Sequence, residues 1–307
     1  MLTVSDSVLS FSPLHTPAAR ARPGDAVRFI AQDCFCGQIT DESVLTTEID
    51  FSKLNPAAGP VFVEGADPGD VLCADILSID VADRGYLCTM PDYGPMGDWC
   101  ELRTREVEAR DGMLRFKDLL FPARPMVGVI GTAPATGEVS CEDAGPHGGN
   151  MDCKLIEPGA RVYLPVRTSG ALFQLGDLHA SMGDGEIGGS GVEIAGSVIV
   201  RLGLVKGFSL DWPLVESCGM IHAIASGPEF VEVQRQAARQ MQRLVSAAWG
   251  WDDTDAALYL AARGDSAICQ SCKPSDFDIV LRVGAPVEPT MPRLIPTPCH
   301  GLPCSGG

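Results

Sequence analysis

The sequence predicts an α+β fold that is predominantly β. Three observations carry this reading. Apolar runs are short and end at clusters of Pro, Gly and Asp. Among the 307 residues glycine (34) and proline (23) are both abundant, which favours turns and short strands over long helices. Helical periodicity is confined to the region after residue 228.

The elements follow in order. Residues 27–31 read as a short strand with Asp33 just past its end. Residues 60–66 form a second apolar run that meets Asp67-Pro68-Gly69-Asp70, a turn signal, and residues 71–79 resume as a strand. Residues 91–125 form a polar excursion, whose first part, 91–99, has no periodicity and reads as a loop over a cleft or a surface connection. Residues 126–131 read as a buried strand, and 162–166 and 171–173 as further strands. Residues 192–202 alternate partially and read as one more. From 231 to 249, Ala237, Ala238, Met241, Leu244, Val245 and Ala248 recur at helical spacing. Asp252-Asp253-Thr254-Asp255 offers caps for a second helix over 256–262, and residues 279–283 form a last strand. This divides the chain into a β-rich main domain (1–205), a small α+β subdomain (206–290) and an extended Cys-, Pro- and Gly-containing tail (291–307).

Bulk properties exclude several function classes. A formal net charge of −17 opposes binding to nucleic-acid phosphates and to anionic membranes. No apolar stretch reaches the roughly 18 residues of a membrane-spanning helix, and the N-terminus lacks the basic start and apolar run of a secretory signal. A cytoplasmic protein is expected. There the 12 cysteines read as reduced thiols rather than a disulfide frame. Cys34/Cys36, Cys269/Cys272 and Cys299/Cys304 lie close in sequence, but their spacing suits a zinc site poorly.

The chemistry concentrates in two glycine-punctuated stretches. Gly176-Asp177-Leu178-His179 is followed by Gly183-Asp184-Gly185-Glu186, and His147-Gly148-Gly149-Asn150-Met151-Asp152 lies upstream. Ionisable side chains crowded like this are costly unless solvated or paired. Two polar loops separated by strands can meet at one end of a β structure. Asp152, Asp177, Asp184 and Glu186 offer hard oxygen ligands for calcium, magnesium or manganese, and His147 or His179 would bring zinc within range. A bound metal with an open position lowers the pKa of water and polarises a carbonyl. Glu142 or Glu186 could then move protons, and Asn150 could orient a carbonyl or hold a substrate amide. The bland alternative is that the Gly-Asp pairs are plain turns. No phosphate-cradling loop, dinucleotide fingerprint or Gly-x-Ser-x-Gly elbow is present. Gly188-Gly189-Ser190-Gly191 reads as a turn, and Cys141 as a weak candidate nucleophile with only His147 nearby to activate it.

These residues resemble those of the acetamidase/formamidase family. The resemblance runs through residues 61–70, 131–134, 148–152, 164–166, 170–173, 176–180 and 183–186, then 239–241, 255–256 and 264–265, in consistent order along most of the chain. It implies hydrolysis of a small linear amide to a carboxylate and ammonia. It implies a sandwich- and barrel-like main body with a small α/β part, and a homodimer or higher homo-oligomer. It also implies a divalent metal, with zinc favoured and calcium the alternative. Asp33, Asn150, Asp152, Asp177, His179, Asp184 and Glu186 match the family's polar motif positions. The resemblance leaves their division between ligands and substrate contacts open.

The expectation tested below places the metal on Asp33, Asp152, Asp177 and His179. Catalytic roles fall to Glu142, Glu186 and Asn150, and substrate contacts to His147, Met182 and Asp184. The chain departs from the family where Met182 replaces a common glutamine, where Cys153 replaces a common threonine, and in its Cys-rich tail. Two alternatives stay open. One is a hydrolase of the same fold acting on a larger or cyclic C–N substrate, and the other is a non-catalytic calcium-binding β protein.

Overall fold

Alternation of side chains along the short apolar runs sets the architecture. Along the strand Ala26–Ala31, Val27, Phe29 and Ala31 are buried while Ile30 points outward, as the two-residue period of a half-buried strand requires. The computed structural model describes residues 1–90 and 92–299, and these form a mostly β molecule with a helical part near the C-terminus.

Two large sheets pack face to face. The first has nine strands in the order Leu2–Val4, Ala26–Ala31, Gly196–Val205, Val71–Val81, Arg161–Pro165, Leu214–Ser217, Met220–Gly227, Ile279–Pro286 and Asp265–Gln270. The second is built around Phe173–His179, which lies between Met126–Gly131 on one side and both Ala57–Val63 and Glu193–Ile194 on the other. Val27, Phe29, Ile76, Val198 and Val200 of the first sheet share a core with Val127, Ile130, Phe173, Leu175 and Leu178 of the second. Phe29 meets Phe173 edge to face at 5.5 Å. Each such side chain taken from water contributes about 1.5–3 kcal/mol.

The C-terminal region obeys helical rules closely. Helix α1 (Phe230–Trp249) buries Val233, Ala237, Met241, Leu244 and Val245 against Met220–Gly227 and Ile279–Pro286. It stops at Gly250, whose φ of 69° suits a left-handed cap. Helix α2 (Asp253–Arg263) starts at Asp252, whose carboxylate accepts from the amides of Thr254 (2.8 Å) and Asp255 (2.9 Å). The position 205/206, expected as a domain boundary, falls where Gly196–Val205 ends within the nine-stranded sheet, and strands from both sides of it hydrogen-bond in that one sheet.

Several local readings change. Residues 192–202 are not one strand. Glu193–Ile194 pairs in the second sheet opposite Leu178 and His179, and Gly196–Val205 then joins the first. Gly196 permits the crossing, because a Cβ there would lie 2.4 Å from the Asp80 carbonyl. Ala171 and Leu172 take left-handed φ values of 58° and 52°, so the strand begins only at Phe173. Gly176-Asp177-Leu178-His179 lies inside that strand rather than in a loop. The polar excursion contains a three-stranded meander, Arg103–Arg110, Met113–Phe116 and Leu119–Pro122. Residues 92–99 are turns with a short 3-10 segment, Gly97–Trp99. Asp265–Gln270 is an edge strand that the periodicity did not reveal. In the tail, Cys299 pairs with Leu204 through backbone bonds. Residues 300–307, with Cys304, lie outside the described residues. No helix among the described residues is long and apolar enough to cross a membrane.

Candidate active site

A single distortion of the central strand creates the polar floor. Gly176 pairs with Ala57 of one neighbour and Leu178 with Ile194 of another, so Asp177 sits where the neighbouring strand changes. On the opposite side Val127 faces Leu178 and Val129 faces Gly176, a constant register that sets Gly128 opposite Asp177. Asp177 takes a left-handed φ of 52° there, a conformation that strains a residue with a Cβ. Gly128 makes the room: a Cβ on it would come within 2.5 Å of Asp152 Oδ1 and 2.7 Å of Asp177 Oδ2. Its carbonyl also accepts from the amides of Met151 (3.1 Å) and Asp152 (3.3 Å), which brings Asp152 over the same spot.

His179 lies two residues beyond Asp177 on the strand. Glu193 is its cross-strand partner. The imidazole Nε2 is 3.2 Å from Glu193 Oε2, 3.5 Å from Asp177 Oδ1 and 3.8 Å from Asp152 Oδ1. Its Nδ1 lies 3.3 Å from Met182 Sδ. Glu186 enters from the turn 183–186, which is tied to the C-terminal edge strand: Gly185 donates to the Cys269 carbonyl (3.0 Å) and Ser271 to the Gly185 carbonyl (3.0 Å). That edge also supplies Gln270, whose amide donates to Asp152 Oδ2 at 3.0 Å, and Cys272, whose thiol lies 3.7 Å from Glu186 Oε2.

These groups form the floor of a cavity of about 70 Å³, with Phe35, Met90, Tyr93 and Phe277 among its apolar walls. Tyr93 packs against Phe277 at 5.7 Å between ring centres. Of the sequence candidates, the structure brings Glu142, Asn150, Asp152, Asp177, His179 and Glu186 together in this cavity. Asp33, His147, Met182 and Asp184 are not part of its lining. Asp33 accepts from the Gly37 amide at 3.1 Å, and it is the next residue, Cys34, that reaches the cavity. His147 packs edge-on against Phe11 at 4.7 Å, and burial with the nearby Arg167 pushes it down to about 4. Met182 touches the site only through the back of His179. Asp184 is engaged by Arg282 (2.6 Å) and Lys154 (2.7 Å), and these bonds outweigh burial to hold its carboxyl below the usual range. Cys141 donates to the Val8 carbonyl, and burial pushes its thiol up to about 12, which leaves it inert as a nucleophile.

The floor carries an unusual charge burden. Asp152, Asp177, Glu186, Glu193 and His179 are each at most 5% exposed, and no Lys or Arg lines the cavity among the described residues. Burial and the neighbouring Glu186 and Asp177 drive Asp152 well above the carboxylate range. Burial pushes Glu186 up to about 7 and Glu193 up to about 8, with Asp177 adding repulsion and His179 partly relieving it. Burial disfavours the His179 cation, but Glu193 and Asp177 outweigh it and raise the imidazole well above its ordinary value. Glu142, on the wall, is raised by burial and then by Asp143.

The floor fits a metal ion on its own evidence. Asp152 Oδ1, Asp177 Oδ1 and Glu193 Oε2 are buried without a hydrogen bond of normal geometry, yet all three face His179 Nε2. One Nε2–H could serve only one of them. Ligands around a tetrahedral zinc, with bonds of ~2.1 Å, lie about 3.4 Å apart, close to the three separations seen. Three of the acidic residues, Asp152 (φ 41°), Asp177 (52°) and Glu186 (43°), are held in left-handed backbone, strain of a kind that clusters at functional sites. Among the described residues two groups could hold a metal: Asp152, His179 and Glu186, and Cys34, Asp177 and Glu193. The Cys269/Cys272 pair belongs to neither. Its thiols diverge, Cys269 toward Arg282 (3.6 Å) and Cys272 toward Glu186.

Glu193, Cys34, Gln270 and Cys272 are site residues that sequence reasoning missed. Glu193 had a readable signal, a single acid inside the apolar run Val192-Glu193-Ile194, where a buried charge needs a partner. The others depend on contacts between distant segments.

Comparison with known proteins places this geometry among relatives. A model described as the acetamidase/formamidase family matches residues 11–144 and 141–233. The solved structure of an acetamidase from Bacillus halodurans superposes with a TM-score of 0.90 at 36% identity, covering 93% of this chain and 97% of that one. A predicted acetamidase/formamidase from Thermoanaerobacter tengcongensis superposes with a TM-score of 0.89 at 39% identity, covering 93% and 95%. The formamidase of Methylophilus methylotrophus is 27% identical over 251 residues, an alignment that spans 61% of this chain and 61% of that protein.

Proposed function

The chain belongs to the acetamidase/formamidase family, and on that premise we propose that it hydrolyses a small linear amide to the carboxylate and ammonia. The observation that carries this reading is the convergence of three unpaired, buried carboxylate oxygens on His179 Nε2 at the bottom of a small, apolar-walled cavity. A divalent cation, zinc by the nitrogen-and-oxygen donor set, would be held by Asp152, Asp177, His179 and Glu193, and when bound would polarise an amide carbonyl and acidify water.

The chain's own residues supply the rest. Phe35, Met90, Tyr93 and Phe277 exclude bulk water and limit the acyl group. A dry cavity of about 150 Å³ admits benzene, so the smaller space here suits an amide of formamide or acetamide size. Asn150 lines the cavity with its Oδ1 buried and unpaired, placed to accept from the substrate NH₂ and fix its plane. Among the described residues, Glu142 is the one acidic wall residue outside both metal-holding groups. It takes the proton from the attacking water and returns it to the nitrogen as the C–N bond breaks, so that amide and water leave as carboxylic acid and ammonia. Met182 accepts the Nδ1–H of His179, which fixes the tautomer that leaves the Nε2 lone pair free for the cation these residues would hold. The cytoplasmic setting and self-association expected from the sequence belong to the same reading.

An acyl-length series tests it. Ammonia release is expected from formamide and acetamide and should fall steeply with longer or cyclic amides. Turnover confined to the larger substrates would overturn the small-amide reading.

A further inference from the structure

We propose that Asp184 and Arg282 are positioning residues, whose ion pair, extended by Lys154, locks the turn that carries Glu186 against the segment that carries Asp152. Its effect on rate rests on the hydrolase reading above; the lock itself does not.

The turn has little else to hold it. Residues 183–189 include four glycines, and their one apolar side chain, Ile187, is 59% exposed. The turn therefore lacks an apolar anchor in the core, and its glycines add backbone freedom. Yet Gly185 (φ 90°) and Glu186 (φ 43°) are held in left-handed backbone, and the Glu186 side chain is driven into the floor beside Asp152. Burying one carboxylate next to another works against that placement. The backbone bonds of Gly185 to Cys269 and Ser271 fix one side of the turn.

Asp184 supplies the other tie. Arg282 grips it with two parallel bonds, Nη1 to Oδ1 at 2.6 Å and Nη2 to Oδ2 at 2.9 Å, and Lys154 Nζ lies 2.7 Å from Oδ2. Lys154 stands two residues beyond Asp152. Arg282 pairs with Ala267 of the edge strand, whose end delivers Gln270 to Asp152. One carboxylate thus joins the three segments that meet at Asp152 and Glu186. Arg282 is 7% exposed, and a planar, two-pronged contact at such depth fixes direction as well as distance. Displacing a group at the reacting centre by about 1 Å can cost roughly 10² in rate, which is the scale of effect a loosened turn should have.

Arg282→Ala and Asp184→Asn in the full chain test this, with kcat and KM per folded molecule, Tm, and amide hydrogen exchange read together. The proposal expects kcat to fall by about 10² with KM little changed, and exchange to quicken in peptides covering 183–190 but not in α1. A surface cavity of about 330 Å³ lined by Arg282, His222 and Asp265 gives a small cation a route to the vacated place. Guanidinium at non-denaturing concentration should therefore restore both readouts in Arg282→Ala, and Arg282→Lys should restore them in part. Arg243→Ala, which removes the exposed pair of α1 with Asp211, should change neither. A lower Tm with unchanged kcat per folded molecule means that the pair is merely structural and overturns the proposal. So does a fall in kcat with unaltered exchange at 183–190, or a loss that neither guanidinium nor Arg282→Lys reverses. Should Arg282→Ala fail to fold, the near-isosteric Asp184→Asn decides by the same two readouts. If the wild-type chain releases no ammonia from any amide, the hydrolase reading ends, and exchange alone decides the lock: local quickening that guanidinium reverses supports it, and unaltered exchange overturns it.

Discussion

The cavity floor and the helix-covered half of the nine-stranded sheet follow opposite rules within one molecule. Under α1, apolar residues recur at helical spacing, Gly250 caps the end, and the buried polar residue Gln240 is satisfied by the Asp211 amide and the Trp212 amide and carbonyl. At the floor, three acidic residues sit in left-handed backbone and three buried carboxylate oxygens lack partners. The first region stabilises the fold. The second is destabilised by itself and persists because the surrounding sheets over-determine it, as strained functional sites do. Substitutions should therefore separate activity from stability according to the half they touch.

The sharpest break of that comparison comes from Asp177→Asn. It removes a ligand, so ammonia release should fall below detection and cation binding should weaken. In metal-stripped protein, however, the loss of one buried like charge should leave Tm no lower than that of the wild-type chain. A marked drop in Tm would mean that the floor is structural. Glu142→Gln comes next. It keeps the shape and removes the proton carrier, so kcat should fall by about 10²–10⁴ with cation content unchanged. Retained kcat would move the proton role to another group. On the other side, Met241→Ala should lower unfolding free energy by about 2–5 kcal/mol, since Met241 is fully buried, while turnover per folded molecule stays the same. Denaturant melts paired with initial rates check this. Asp252→Ala is the smallest, at about 1 kcal/mol for the lost N-cap, again with normal turnover.

The two halves also differ in how much of them the sequence reveals. Helices α1 and α2 follow from spacing and caps that lie within a few residues of each other, and both appear where that local signal puts them. The floor is legible only in part. The glycine-punctuated acids announce chemistry, and Asp152, Asp177, His179 and Glu186 do share the cavity. Their local geometry is another matter. Gly176-Asp177 reads as a turn, yet it lies within a central strand, at a change of neighbour that no local pattern encodes. Gly128 looks like one more small residue in a buried strand, and its use appears only when Asp152 and Asp177 arrive from elsewhere. Glu193 faces the floor because its strand pairs with His179, and Asp184, identical in type to the other acids, is diverted by Arg282 and Lys154. Cys34 lies beside the Asp33 that the motif favoured. In each case the deciding contact joins segments far apart in the chain.

The central claim is that a cation on the buried carboxylates and His179 drives amide hydrolysis. Its most direct measurement is ammonia release from formamide and acetamide by one protein sample before chelation, after complete metal removal, and after zinc is restored, with metal content determined at each stage. The account predicts turnover that vanishes with the metal and returns with it. Full turnover by metal-free protein would contradict it.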